Sequence, residues 1–369
     1  MPLDDKDKNF DHVYSRRSDE KPHYRKSGKR KKIGWTIFII VLLIVGGGLV
    51  WGYGAYKNAK KTFKQTYDTA SIQKSRNVSS VINKGKPLSI LLLGTDTGAL
   101  GRHDTGRTDT IIVATVNPKK ETIHLTSIAR DTRVQIPGDT VPYEKINAAY
   151  TIGGAGTTIK TVQQLLDIPI DFYAIVNMGG LEKMVNAVGG VDVKPTLTFK
   201  YGHANVKKGV KIHLNGKQAL DYARMREEDP LGDYGRQVRQ RQIIKDMVMK
   251  GLKITSLPRY KQILTSLKGN LKTDMSFDDM IAVRAKYGDA THHIKSQTLQ
   301  GVGAMIDGIS YQDVPQDELL RVSNDIRGSL GLGKSKKLSS TQSSTDTGTT
   351  DTTGTTTDTT GSTGTASGY

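Results

Sequence analysis

The chain has 369 residues, 54 Lys and Arg against 36 Asp and Glu, a net charge of +18, and no cysteine. The missing cysteine excludes disulfides, thiolate zinc sites and a cysteine nucleophile. Apolar residues make up 36 %, below the ~45–50 % of globular domains once glycine is counted, so part of the chain lies outside any core.

Residues 1–32 are polar and carry 11 basic against 6 acidic side chains, which reads as a disordered tail. Residues 33–56 follow with no charge across 24 positions. At 1.5 Å per residue they make ~36 Å of helix, enough to cross a bilayer core of ~30 Å. Trp35, Trp51, Tyr53 and Tyr56 sit near the ends, where an interfacial aromatic belt belongs. A cleaved signal peptide is the alternative, but its apolar region is shorter. Nine Lys and Arg within 13–32 against six within 57–76 put the N-terminus in the cytoplasm and the rest of the chain outside the cell membrane, in a single pass.

Residues 57–86 carry 8 basic side chains and 1 acidic and read as a polar stalk. The basic flanks on both sides of the apolar run point to anionic membrane lipids as a partner. Nucleic acid, the other partner of a basic chain, is set aside because the excess charge brackets a membrane span. Ser71 and Lys74 make a lone S-x-x-K without companion motifs, too little for an acyl-enzyme. Residues 87–332 read as one folded domain. From 333 to 369 the chain is Ser, Thr, Gly and Asp with nothing to bury, a disordered tail.

Within the domain, Ser89–Leu93 is a short apolar run ending in Gly94-Thr95-Asp96, the pattern of a buried strand and its loop. Thr110–Asn117 predicts a second strand, stopped by Pro118, and Glu121–Ile128 a third. Thr157–Leu166 and Gly179–Val188 have helical spacing. Gly153-Gly154-Ala155-Gly156 reads as a loop or helix start. Strands mixed with helices predict an α/β fold with helices covering a sheet.

The chemistry concentrates in two groups. Asp96 follows a buried strand directly, and ligands of open α/β sheets bind beyond strand carboxyl ends; an Asp there also caps turns. Gly101–Thr105 (GRHDT) is repeated at once as Gly106–Thr110 (GRTDT). Only the second copy runs into a strand, so Arg107 and Asp109 are the better placed at the sheet. Asp96 and Asp109 on adjacent strands suit Mg²⁺, which takes oxygen ligands and shares substrate phosphates. The second group is arginine. Arg130 follows the third strand. Arg224 and Arg226 flank Met225, and an extended segment there puts both guanidiniums on one face with Ala223 and Met225 inward. Arg236 and Gln240 lie i,i+4 on a helix, with Arg239 at i+3. Guanidinium forks match phosphate oxygens, although runs of charge are also ordinary solvated faces. No HExxH, G-x-S-x-G or Walker loop is present. Pyrophosphate with Mg²⁺ is the ligand this set would hold, and outside a cell a lipid-linked pyrophosphate is the natural source.

The motifs LLLGTD (91–96), GRTDT (106–110), SIARDT (127–132), KINAAY (145–150), GGVDV (189–193) and ALDYARMR through GDYGRQVRQ (219–240) together resemble the LytR-CpsA-Psr family. The resemblance implies an α-β-α sandwich with a central mixed sheet and an apolar cavity for a polyprenyl chain. It implies a membrane-anchored phosphotransferase that moves a glycopolymer, teichoic acid or capsular polysaccharide, from undecaprenyl pyrophosphate onto a peptidoglycan acceptor with Mg²⁺. By the same resemblance Asp96 and Asp109 bind the metal. Arg107, Arg130, Arg224, Arg226, Arg236 and Gln240 contact pyrophosphate, joined by Lys145 of KIN and Asp233 of the GD-x-GR stretch. Asp109, Arg107, Arg130, Arg224 and Arg226 form the catalytic group. Asp104, in the extra GRHDT copy, departs from the family pattern and competes with Asp109 for the metal. Pyrophosphate hydrolysis and non-catalytic binding of wall polyanions are the other readings of the same residues.

Overall fold

A computed structural model describes residues 73–96, 106–252 and 267–336, with positions 54, 56, 57, 60, 61, 67–70, 263 and 338. The tail 1–32, nearly all of the apolar run 33–56, the GRHDT copy with Asp104, Ser71 and almost all of the Thr-rich tail lie outside these residues. No described helix is long and apolar enough to cross a membrane.

In chain order the elements are α1 (Val78–Asn83), β1 (Leu88–Thr95), β2 (Thr108–Asn117), β3 (Thr122–Ile128), β4 (Arg133–Val134), β5 (Glu144–Lys145), α2 (Ala148–Leu166), β6 (Phe172–Asn177), α3 (Met178–Ala187) and β7 (Val191–Val193). There follow β8 (Phe199–Tyr201), β9 (Ala204–Val206), β10 (Ile212–Leu214), α4 (Gly216–Arg224), α5 (Asp233–Leu252), β11 (Leu271–Thr273) and α6 (Phe277–Tyr287). The last are β12 (His293–Leu299), β13 (Val302–Ile306), β14 (Ile309–Asp313) and α7 (Gln316–Leu330). Six strands form the central sheet in the order β11-β6-β1-β2-β3-β12. It is mixed: β1 runs parallel to β6 and β3 to β12, while the other neighbours are antiparallel.

Both faces of the sheet are covered. Ile111 and Val113 of β2 pack with Ile159 and Val162 of α2 and Val322 and Ile326 of α7. Their neighbours Ile112 and Ala114 point the other way, toward Ile244 and Val248 of α5 and Met280 of α6. Period-two alternation divides one apolar strand between two cores, which is why the strands read as continuous apolar runs. The three predicted strands are present, the second beginning two residues earlier. Thr157–Leu166 is the second half of α2, which breaks at Gly153 and Gly154, the latter at φ +64°. That left-handed position is one that glycine takes without steric cost.

The folded domain starts before residue 87, which corrects the stalk expectation for residues 73–86. Val81 and Ile82 of α1 are buried in the core. Arg76 donates from Nε at 2.6 Å to Asp171, which is fully buried. Lys74 pairs with the buried Asp274. The polar composition of this stretch hid its role because its strongest contacts are ionic and reach residues 200 and 95 positions away.

Candidate active site

The end of β1 and the start of β2 bring Asp96 and Asp109 to the same edge of the sheet. Gly94 pairs with Thr110 and Thr95 with Thr108, with an irregularity between them. A Cβ on Gly94 would lie 2.9 Å from Thr110 Cβ, so only glycine permits this close strand approach. Beside them α3 starts at Met178, capped by the Asn177 side chain, which accepts from Gly180 N at 2.8 Å.

A cavity of about 740 Å³ runs under this face of the sheet. Its walls are apolar: Ile90, Leu92 and Val176 of the sheet, Met184 of α3, Ile244 and Met247 of α5, Val283 of α6. One mouth is polar. Asp96, Asp109, Arg224, Arg226, Arg236 and Gln240 all line it, so six of the ten residues singled out in the sequence meet there.

Three more stand directly behind. Arg130 Nη1 donates to Asp109 Oδ1 at 2.8 Å, and Arg130 Nε lies 3.5 Å from Asp131 and 4.0 Å from Asp233. Lys145 Nζ is 3.1 Å from Asp131. Arg236 Nη2 is 2.5 Å from Asp233 and donates to the Asp109 carbonyl at 3.1 Å. Arg107 is exposed just before β2 and is not among the lining residues. The structure therefore does not join Arg107 to the group, because the strand direction carries Thr108 inward and leaves Arg107 outward.

The charges of this network cancel: Arg130, Lys145 and Arg236 against Asp109, Asp131 and Asp233. Burial works most strongly against the Arg130 charge, yet the hydrogen bond and attraction of Asp109, with Asp131 and Asp233, outweigh it and hold its pKa above the ordinary arginine value. Arg236 is more deeply buried, and burial pushes its pKa down despite Asp233. Arg224 and Arg226 have no ion pair among the described residues and are exposed at the mouth. They supply the positive charge that the network itself does not.

Several buried polar atoms have no hydrogen-bond partner among the described residues: Thr108 Oγ1, Asn147 Oδ1, Arg236 Nε, Gln237 Oε1 and Gln240 Oε1. Such atoms are rare in folded proteins and costly. Two of them, on Arg236 and Gln240, belong to residues that line the mouth. Asn147 joins the network through its backbone, which donates to the Arg130 carbonyl at 3.2 Å.

Two local expectations change. Arg224 is the last residue of a helix, α4, not part of an extended strand, and only Met225 turns to extended backbone (φ −53°, ψ 131°). Ala223 and Met225 are nonetheless buried and both arginines reach the mouth. Arg239 does not project with Arg236 and Gln240. It is 1 % exposed, pairs with Asp229, and donates to the carbonyls of Tyr222 and Met225. It is a bracket that holds the segment carrying Arg224 and Arg226. Asp131 was missed, although it stands next to Arg130 in the same motif; its signal was the adjacent opposite charge.

The family model described as the LytR_cpsA_psr family matches residues 52–328. The chain belongs to the LytR-CpsA-Psr family. A relative in Enterococcus faecalis, named polyisoprenyl-teichoic acid–peptidoglycan teichoic acid transferase TagU, is 46 % identical over 302 residues, covering 82 % of this chain and 98 % of the relative. TagU of Bacillus subtilis, of the same name, is 38 % identical over 82 % of this chain and 97 % of its own. The crystal structure of B. subtilis TagU matches at a TM-score of 0.54 and 37 % identity, over 66 % of this chain and 97 % of that one. A structure of TagT bound to LIIa-WTA matches at 0.58 and 28 % identity, over 71 % of this chain and 98 % of that one.

Proposed function

We propose that this LytR-CpsA-Psr protein is a transferase that moves teichoic acid from a polyprenyl-pyrophosphate carrier, undecaprenyl in length, onto peptidoglycan. The observation that carries the reading is the cavity: a long apolar interior with a mouth where Arg224 and Arg226, which have no ion pair among the described residues, and two aspartates converge. Only an amphiphile with an apolar chain and a phosphorylated head uses both parts. The uncharged run 33–56 serves as the membrane anchor, with the domain outside the cell.

Asp96 and Asp109 fit Mg²⁺ chemically: two carboxylates at one mouth, no third His, Cys, Asp or Glu making a larger group among the described residues. A site with few protein ligands suits an ion that keeps water and shares substrate phosphates. Bound there, Mg²⁺ supplies neutralisation of phosphate charge.

The chain's own residues do the rest. Arg224 and Arg226 grip the pyrophosphate oxygens. Arg130, anchored on Asp109, and Arg236, anchored on Asp233, keep their guanidiniums in place without reorganising during the reaction. A peptidoglycan hydroxyl oxygen forms a bond to the polymer-side phosphorus. The bond from that phosphorus to the bridging oxygen breaks, and polyprenyl phosphate leaves with the electron pair. The hydroxyl proton passes to a carboxylate of the mouth. Such transfer depends on positioning and charge more than on covalent help.

The test mixes the full chain in detergent with Mg²⁺, a polyprenyl-pyrophosphate saccharide and a peptidoglycan oligomer, and reads products by mass spectrometry. A phosphodiester-linked product is expected, lost with EDTA and in Arg224→Ala. Saccharide phosphate released without coupling in the presence of acceptor would replace transfer by hydrolysis.

A further inference from the structure

The cavity has a second end. From Asp96, just past β1, back to Ile90, both in its lining, the chain takes six steps, about 20 Å at strand rise. An isoprene unit adds four backbone bonds of about 1.5 Å each, so a C55 chain is more than twice as long as the cavity. A chain with its head at the arginines must therefore leave through the far end. The wall there is formed by Met275, and by Met280, Val283 and Arg284 of α6. Arg284 makes no hydrogen bond or ion pair with any described residue. Arg284 is partly exposed in that wall, and its planar guanidinium offers an anion a charge-assisted, bidentate partner.

The same helix receives the end of the uncharged run. Tyr56, its last residue, packs on Phe277 with ring centroids 5.8 Å apart, and its hydroxyl donates to Asp278. Lys60 pairs with the same Asp278. From Asp278 to Arg284 is about 9 Å along the helix. We infer that the far end of the cavity opens on the membrane surface, and that Arg284 there binds the phosphate of an anionic phospholipid headgroup. The inference rests on the membrane anchoring and polyprenyl binding proposed above. It gives α6 two links to the bilayer, one through its packing and hydrogen bond with Tyr56 at the end of the apolar run and one ionic through Arg284. The polyprenyl tail would then pass between cavity and bilayer without crossing water.

The chain has no cysteine, so one introduced residue carries one label. Full chain is placed in nanodiscs of phosphatidylglycerol with phosphatidylcholine, or of phosphatidylcholine alone. A fluorophore on Ala285→Cys should be quenched by headgroup spin-labelled lipid, and one on Met305→Cys of β13, 71 % exposed, should not. Phosphatidylglycerol should lower the KM for an embedded C55 donor about fivefold, the worth of one basic residue at an anionic surface. Arg284→Gln should abolish that dependence and Arg284→Lys restore most of it. A C10 donor, too short to leave the cavity, should show none. Equal quenching at both labels, or full lipid dependence in Arg284→Gln, overturns the inference. Quenching confined to Ala285→Cys in a protein that transfers nothing would support the membrane-facing mouth and sink the transferase reading instead.

Discussion

Replacing Arg76 by Ala tests where the folded domain begins. Asp171 is fully buried, and Arg76 grips both its oxygens, from Nε at 2.6 Å and from Nη2. Without the guanidinium, Asp171 keeps, among the described residues, only the Ser89 backbone N–H at 2.8 Å and the Ser89 hydroxyl. Breaking a buried ion pair from one side costs ~3–5 kcal/mol. The Arg76 side chain is 22 % exposed, and solvent screening puts the expectation at the low end, about 3 kcal/mol. For a domain of this size that lowers Tm by roughly 6–12 °C. Far-UV circular dichroism is the assay, because both tryptophans, Trp35 and Trp51, precede the domain and report nothing of its unfolding. A second chain beginning at residue 87 should fare worse, losing α1 with the buried Val81 and Ile82 as well. A Tm change under about 2 °C for Arg76→Ala would refute the argument and return residues 73–86 to the status of a stalk.

Arg236→Met should lower kcat/KM by about 10²–10³ with little change in the circular dichroism spectrum; unchanged turnover would exclude the buried guanidinium from the reaction. Gly94→Ala places a Cβ 2.9 Å from Thr110 Cβ and should cost ~1–3 kcal/mol of stability. It should also lose more activity than an equally destabilising core variant, because Thr110 adjoins Asp109; equal losses would count against it. Hydrogen bonds from Lys250 and His213 hold the Asp192 pKa down at about 2, against 3.8 ordinarily. A depressed carboxylate pKa contributes stability above pH ~4 that is lost as pH falls toward ~2. Asp192→Asn should therefore weaken the domain at neutral pH by about 1 kcal/mol after screening and flatten its acid unfolding. A curve that still parallels the parent between those pH values would refute the assignment.

The sequence by itself determined the α/β class, the strands around residues 90, 112 and 125, and most of the mouth. These are local signals. An apolar run, a breaker and a charged residue directly after a strand are neighbours in the chain and stay so in the fold. The order of the motifs was enough to place the family. Tertiary structure alone decided which arginines face a ligand. Arg236 and Arg239 are chemically alike and one helical turn apart, yet Arg236 lines the mouth while Arg239 is spent on Asp229 and two carbonyls of the α4 end. Nothing in the residues around them tells the two apart, because the difference lies in what packs against each side of α5. Arg107 and Arg130 divide in the same way: the strand pleat leaves Arg107 outside, and three carboxylates from separate segments gather around Arg130. The reach of Arg76 to Asp171 and of Tyr56 to α6 spans 95 and more than 200 residues. Contacts at such separation depend on where whole elements come to rest, a property of the packed sheet and not of any stretch of the chain.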